Sequence, residues 1–108
     1  MAGERKYYVK GSWRTNLDSM HDHIWCLIYD ICDGLYDSVE LMGETMDLNR
    51  LEAFRDEVEQ LQMVSYGRVT GKEYGRIKAI SDERNAIRYA QCLNSGMNER
   101  NASYAFLD

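Results

Sequence analysis

Between Met20 and Met42, apolar residues return every third or fourth position: Met20, Ile24, Leu27, Ile28, Ile31, Leu35, Val39 and Met42. A helix turns about 100° per residue, so this spacing lines them along one side and predicts an amphipathic helix over 16–42. No proline interrupts the pattern anywhere in the 108 residues. Proline removes a backbone donor and clashes with the preceding turn, so its absence favours long helices. Thr15 followed by Asp18 has the form of a capping box and would open this helix. Gly34 reads as a tolerated interior glycine and Gly43 as the stop.

Two more helices follow by the same reasoning. Leu51, Phe54, Val58 and Leu61 form the inward face of a helix over 48–66, with Leu48 and Tyr66 at its margins and Asp47 as its cap. Thr70 and Glu73 make a second capping box and open a helix over 71–94. Its inward positions are Ile77, Ile80, Ile87, Ala90 and Leu93, and Asn94-Ser95-Gly96 ends it. Asn98 would cap a short last helix over 98–106. Residues 1–14 read as a basic, aromatic extended arm, with a short strand broken by Gly11. The expected fold is all-α. It is a single domain over 1–108: a small antiparallel bundle of three main helices, a short C-terminal helix and an N-terminal extended arm or short strand. Short connections make sequential helices antiparallel.

The start of the chain is polar and basic, with no apolar segment of the kind that secretion requires. The longest uncharged apolar run, residues 24–29, is far too short to span a bilayer. Cys26, Cys32 and Cys92 have no framework spacing, so we expect free thiols and a cytoplasmic location.

Charge is distributed in blocks. Residues 15–49 hold eight acidic side chains and no lysine or arginine, within a chain of net charge −5. On a continuous helix over 16–42, Asp22, Asp30, Asp33, Asp37 and Glu40 fall within an arc of roughly 80°, with Glu44 joining if the helix runs one turn further. They would form a row roughly 33 Å long on the solvent side. Glu52, Asp56 and Glu59 repeat the pattern on the second helix. Like charges at this spacing cost about 0.2–0.5 kcal/mol per pair, and one lysine would relieve it. The row therefore suggests a docking surface for a basic protein, with Tyr29 and Tyr36 as an aromatic margin. Six carboxylates over that length are too sparse to copy a duplex, which carries one charge per about 3.4 Å on each strand. Two competing readings remain. The row is an ordinary solvated face, or Arg76, Arg84 and Arg88 neutralise it from within the chain.

These features lead to a non-enzymatic acidic protein that inhibits or modulates a partner with a basic surface, a nucleic-acid-binding one among the candidates. In style it is similar to the small acidic helical inhibitors of host nucleases carried by phages and mobile elements, anti-CRISPR proteins among them. The alternative is a homodimeric helical regulator or assembly module that touches nucleic acid through Arg76, Arg84 and Arg88. The acidic total weighs against nucleic-acid binding as the main role. Tyr7, Tyr8 and Trp13 in the arm are candidates for partner or dimer contact. His21, His23 and Cys26 suggest a metal at first sight. On a helix, however, the two imidazoles point roughly 160° apart, and zinc needs convergent ligands. No constellation for nucleophilic or acid–base catalysis is legible, and no cofactor, metal or membrane partner is expected.

Overall fold

Side-chain contacts fix how the helices run. The computed structural model describes residues 5–96. The helix expected over 98–106 lies outside them. In chain order the elements are β1 (Tyr7–Tyr8), α1 (Gly11–Cys32), β2 (Val39–Leu41), β3 (Glu44–Met46), α2 (Leu48–Val64), β4 (Arg68–Val69) and α3 (Gly71–Asn94). Gln62 on α2 donates to Asp18 on α1 at 2.8 Å, and His21 meets Glu59 at 2.9 Å. One turn further along α1, Trp25 meets the Arg55 guanidinium at 4.7 Å. Partners on α2 recede as those on α1 advance, so the two helices are antiparallel. Trp13 packs on Tyr74 with ring centroids 5.0 Å apart, and Asn16 donates to Ser81 Oγ at 2.8 Å. Here both numbers rise together, so α3 runs in the same direction as α1. The result is a three-helix bundle, as expected, with α1 in the middle.

The core consists of Trp13, Leu17, Met20, Ile24 and Ile28 of α1, Leu51, Phe54, Val58 and Leu61 of α2, and Ile77 and Ile80 of α3. Val9, Leu41, Met46 and Val69 close it from the short strands and the residues beside them. The whole predicted inward face of α2 is buried. On α3 only Ile77 and Ile80 are; Ile87 is half-buried, while Ala90 and Leu93 are exposed where the helix outruns its neighbours. A polar connection inside the bundle was not legible: buried Asn16 also donates to Asn85 Oδ1 at 3.1 Å, tying α1 to α3.

Caps set two boundaries as expected. Asp47 Oδ1 accepts the Arg50 N–H at 2.8 Å. Thr70 and Glu73 form the full reciprocal capping box, and α3 spans Gly71–Asn94. The first helix departs from expectation at both ends. It starts at Gly11, four residues before Thr15, and its N-cap Lys10 provides no side-chain cap. Trp13 is consequently a core residue of α1 and not part of an arm. What remains of the arm is β1, paired antiparallel with β4, Tyr7 opposite Val69 and Tyr8 opposite Arg68.

The helix predicted over 16–42 ends at Cys32. Gly34 is not an interior glycine. It sits at φ +81, its N–H donates to Ile31 O at 3.0 Å, and the Leu35 N–H donates to Asp30 O at 2.9 Å. This is the Schellman arrangement, in which a left-handed residue turns the chain off the helix while satisfying its last carbonyls. The chain then forms a hairpin, β2 with β3, Val39 opposite Met46. Met42 and Gly43 turn it, at φ 57 and φ 71. A two-residue turn with positive φ at both centres matches the twist of paired strands. The hairpin docks by burying Leu41 and Met46 and by the Met42 N–H donating to Glu83 of α3 at 3.1 Å.

Replacing Gly34 by alanine should cost about 1–2 kcal/mol, the penalty of a left-handed conformation for a residue with a Cβ. An added Cβ would meet no other atom there, so the cost is purely conformational. Gly75 lies inside α3 with equally open space. Gly75→Ala should therefore gain roughly 0.5–1 kcal/mol. Urea midpoints of the two variants should move in opposite directions.

Candidate functional site

Ending α1 at Cys32 breaks the predicted acidic row into three pieces. Asp22 and Asp30 lie on α1, Asp33 is its C-cap, and Asp37 follows in the connecting loop. Glu40 and Glu44 belong to the hairpin. The single straight row roughly 33 Å long therefore does not exist, because Gly34 redirects the backbone midway. Of the repulsion along it, which needs helical spacing, only that between Asp30 and Asp33 at the end of α1 remains.

The pieces differ in how their charge is met. Glu44 receives the Arg50 guanidinium in a forked contact, with Nε at 2.6 Å. Glu40 accepts a hydrogen bond from Thr45 Oγ1 across the hairpin. On α2, Asp56 pairs with Arg55 at 3.1 Å and Glu59 with His21 at 2.9 Å. Glu52 is half-buried. Asp22 lies close enough to Arg84 to favour its charge. Asp30, Asp33 and Asp37 take part in no ion pair among the described residues.

Around these three carboxylates lies an exposed apolar margin. Tyr29 is 61% exposed, Leu35 64% and Tyr36 52%. Half-buried Trp25 packs against Tyr29 with centroids 5.7 Å apart and carries the Arg55 guanidinium over its ring. Helical spacing predicts an inward-facing Leu35; beyond Gly34 the helix no longer exists to bury it. The Asp33-Gly34 pair was the one signal that could have placed it. Residues 29–37 thus bring together three unpaired carboxylates, two tyrosine rings and a leucine, on a helix end held by its Schellman bonds.

The chain was compared with models of known protein families, with curated proteins and with solved structures, and nothing matches in any of the three. Its function is therefore to be sought in the arrangement of its own residues.

Among the described residues, Arg76 and Arg84 do not pair with the carboxylates of 29–37. Arg76 forks onto Glu57, with Nε at 2.5 Å and Nη2 at 2.8 Å, and lies over the Phe54 ring. That bond holds the Glu57 carboxyl below the usual carboxylate range and raises the Arg76 guanidinium. Arg84 packs its Nε and Nη1 inward, where no hydrogen-bond partner among the described residues meets them. Burial, then the neighbouring Arg88, pushes its pKa down.

The histidines point to different helices, His21 to Glu59 on α2 and His23 to Arg84 on α3. Among the described residues, no group of three or more His, Cys, Asp or Glu could hold a metal ion. Cys26 and Cys32 are exposed free thiols, although helical spacing puts Cys32 on the core side. No helix among the described residues is long and apolar enough to cross a membrane.

Burial, then Arg84, pushes His23 below its ordinary value of 6.5. The unfolded chain then binds a proton at pH values where the folded chain does not. Stability from this residue is complete above about pH 6.5 and falls as pH drops through the window down to the folded value. The urea midpoint should be lower at about pH 5.5 than at about pH 7.5, and His23→Gln should flatten the difference. The Glu57 contribution is present above its unfolded value of 4.5 and is lost only as pH falls through its lower folded value, so the two effects separate.

Proposed function

We propose that this chain is a non-enzymatic binding protein that docks on a basic protein surface and blocks or modulates it. The observation that carries the reading is the pairing of unpartnered Asp30, Asp33 and Asp37 with exposed Tyr29, Leu35 and Tyr36 among the described residues. A structural carboxylate can be neutralised within the fold, as Glu44 and Glu57 are by Arg50 and Arg76. Among the described residues, those of 29–37 are not. Rings and a leucine left in water beside them supply apolar area that only a partner would bury. Interfaces draw most of their affinity from such aromatic anchors, while charge complementarity speeds encounter and sets orientation.

The partner that fits is a cationic surface with apolar clefts, as in a protein that handles nucleic acid. Inhibition of a host nuclease by a small phage or mobile-element protein is a setting in keeping with this chemistry. Glu40 and Asp22 flank the contact. Glu44, Glu52, Asp56 and Glu59 lie further along, on the hairpin and α2, at its edge.

Affinity capture from native cell lysate, followed by a rise in salt, tests the reading. A cationic nucleic-acid-processing protein should be retained at low salt and released at high salt. Recovery of only salt-resistant partners, or of none, would contradict it.

A further inference from the structure

The opposite end of the bundle has the reverse character. β1 and β4 pair there, and α1 and α3 both begin there. Arg5, Lys6, Lys10, Arg14, Arg68 and Lys72 converge on it, and none of the six takes part in an ion pair among the described residues. Of the carboxylates near it among the described residues, Glu73 is occupied by the Thr70 capping box, and Asp18, one turn along α1 from Arg14, accepts a hydrogen bond from Gln62. Two rings stand among the cations. Tyr8 is 71% exposed and pairs across the ladder with Arg68. Tyr66 is 80% exposed, with the Arg14 guanidinium 5.5 Å from its centroid. By contrast Tyr7 and Trp13 are taken up by Tyr74, at 4.8 and 5.0 Å, and form the platform beneath.

We propose that this end binds single-stranded nucleic acid, with Tyr8 and Tyr66 stacking on bases and the surrounding lysines and arginines meeting phosphates. Aromatic faces interleaved with cations are the recurring means of holding a single strand, because every base offers a ring face. A duplex keeps its bases stacked and out of reach of the tyrosines. The net charge of −5 does not forbid it. The acidic residues 29–37 lie towards and beyond the far end of α1, whose 22 residues span roughly 33 Å. That is several times the screening length of about 8–10 Å at physiological salt. An acidic protein, a second copy of this chain included, would also satisfy the cations, but it would not make the two tyrosines discriminate a single strand from a duplex, which is what the test reads. The basic end would act in this way whatever role residues 29–37 play.

Fluorescence anisotropy on the full chain tests it, with a labelled thymidine oligonucleotide of about 20 nucleotides and a duplex of equal length as probes. The single strand should bind more tightly, with an affinity that falls as salt rises from about 50 to about 200 mM. Tyr8→Ala and Tyr66→Ala should each weaken binding roughly five- to a hundredfold, the worth of one stacked base. Arg68→Glu with Lys72→Glu should weaken it further and flatten the salt slope by about 0.7 for each phosphate no longer neutralised. Reversal of Asp33 and Asp37 should leave it no weaker, which separates this site from the acidic one. Circular dichroism would establish that each variant folds; Tyr66 lies outside every strand and helix, so its variant avoids the ladder. No binding at about 50 mM salt, equal binding of duplex, or indifference to both tyrosines would each overturn the proposal. So would salt-sensitive self-association abolished by Arg68→Glu/Lys72→Glu in a chain that ignores the oligonucleotide.

Discussion

Phe54→Ala should lower the unfolding free energy by about 3–5 kcal/mol, read as a large drop in the urea midpoint. Phe54 is fully buried on α2, at the level where α1, α2 and α3 share one core. Its ring also carries two guanidinium groups, Arg50 at 5.9 Å and Arg76 at 5.4 Å. Arg76 ties α3 to α2 through Glu57. Truncation would therefore leave a cavity and release a contact that aligns α3. A domain of this size has roughly 5–15 kcal/mol in total, so the variant would be partly unfolded at modest urea. Met63→Ala on the exposed side of the same helix should stay within about 0.5 kcal/mol of the parent. Equal losses from both would mean that α2 does not pack as described.

Reversing Asp33 and Asp37 to lysine should abolish capture of the basic partner while leaving helicity and melting behaviour close to the parent. Both side chains are exposed and neither takes part in an ion pair among the described residues. Asp33 caps α1 through its backbone N–H, which donates to Tyr29 O at 2.8 Å and survives the substitution. The backbone terminus at the end of α1 is electronegative, so a lysine is tolerated there. Truncation of a side chain at the centre of an interface commonly costs about 2 kcal/mol or more, roughly thirtyfold in affinity. Placing two like charges against a cationic surface adds repulsion to that loss. Undiminished capture by the folded double variant would remove residues 29–37 from the interface.

Local chemistry decided which parts of the fold were legible. The starts of α3 and α2 follow from Thr70, Glu73 and Asp47, whose capping acts within three residues. The core of α2 follows from four apolar residues at helical spacing. The region 33–46 is ambiguous in sequence because Leu35, Val39 and Met42 satisfy helical spacing while Val39 and Leu41 equally satisfy the alternation of a strand. Two glycines separate the cases. Gly34 and Gly43 both hold positive φ, and a helix long enough to contain Gly34 would have denied it that conformation. The start of α1 is hidden because its N-cap, Lys10, uses no side chain and leaves no signature.

The same ambiguity shaped the candidate site. Acidic residues can be identified by type, but their expected alignment assumed a helix that in fact stops at Cys32. Which carboxylates stay unpaired depends on contacts distant in sequence, such as Glu57 with Arg76 and Glu59 with His21. Asp30, Asp33 and Asp37 have no lysine or arginine near them in sequence, and none pairs with them among the described residues.

Hydrogen–deuterium exchange on the captured complex probes the acidic end most directly. Residues 36–38 lie beyond the bonded amides of Asp33, Gly34 and Leu35 and before the hairpin, so their amides should exchange quickly in the free chain. Strong slowing there on addition of the partner, reversed by salt, is the predicted result. Slowing confined to α2 or α3, with 36–38 exchanging as before, would contradict it.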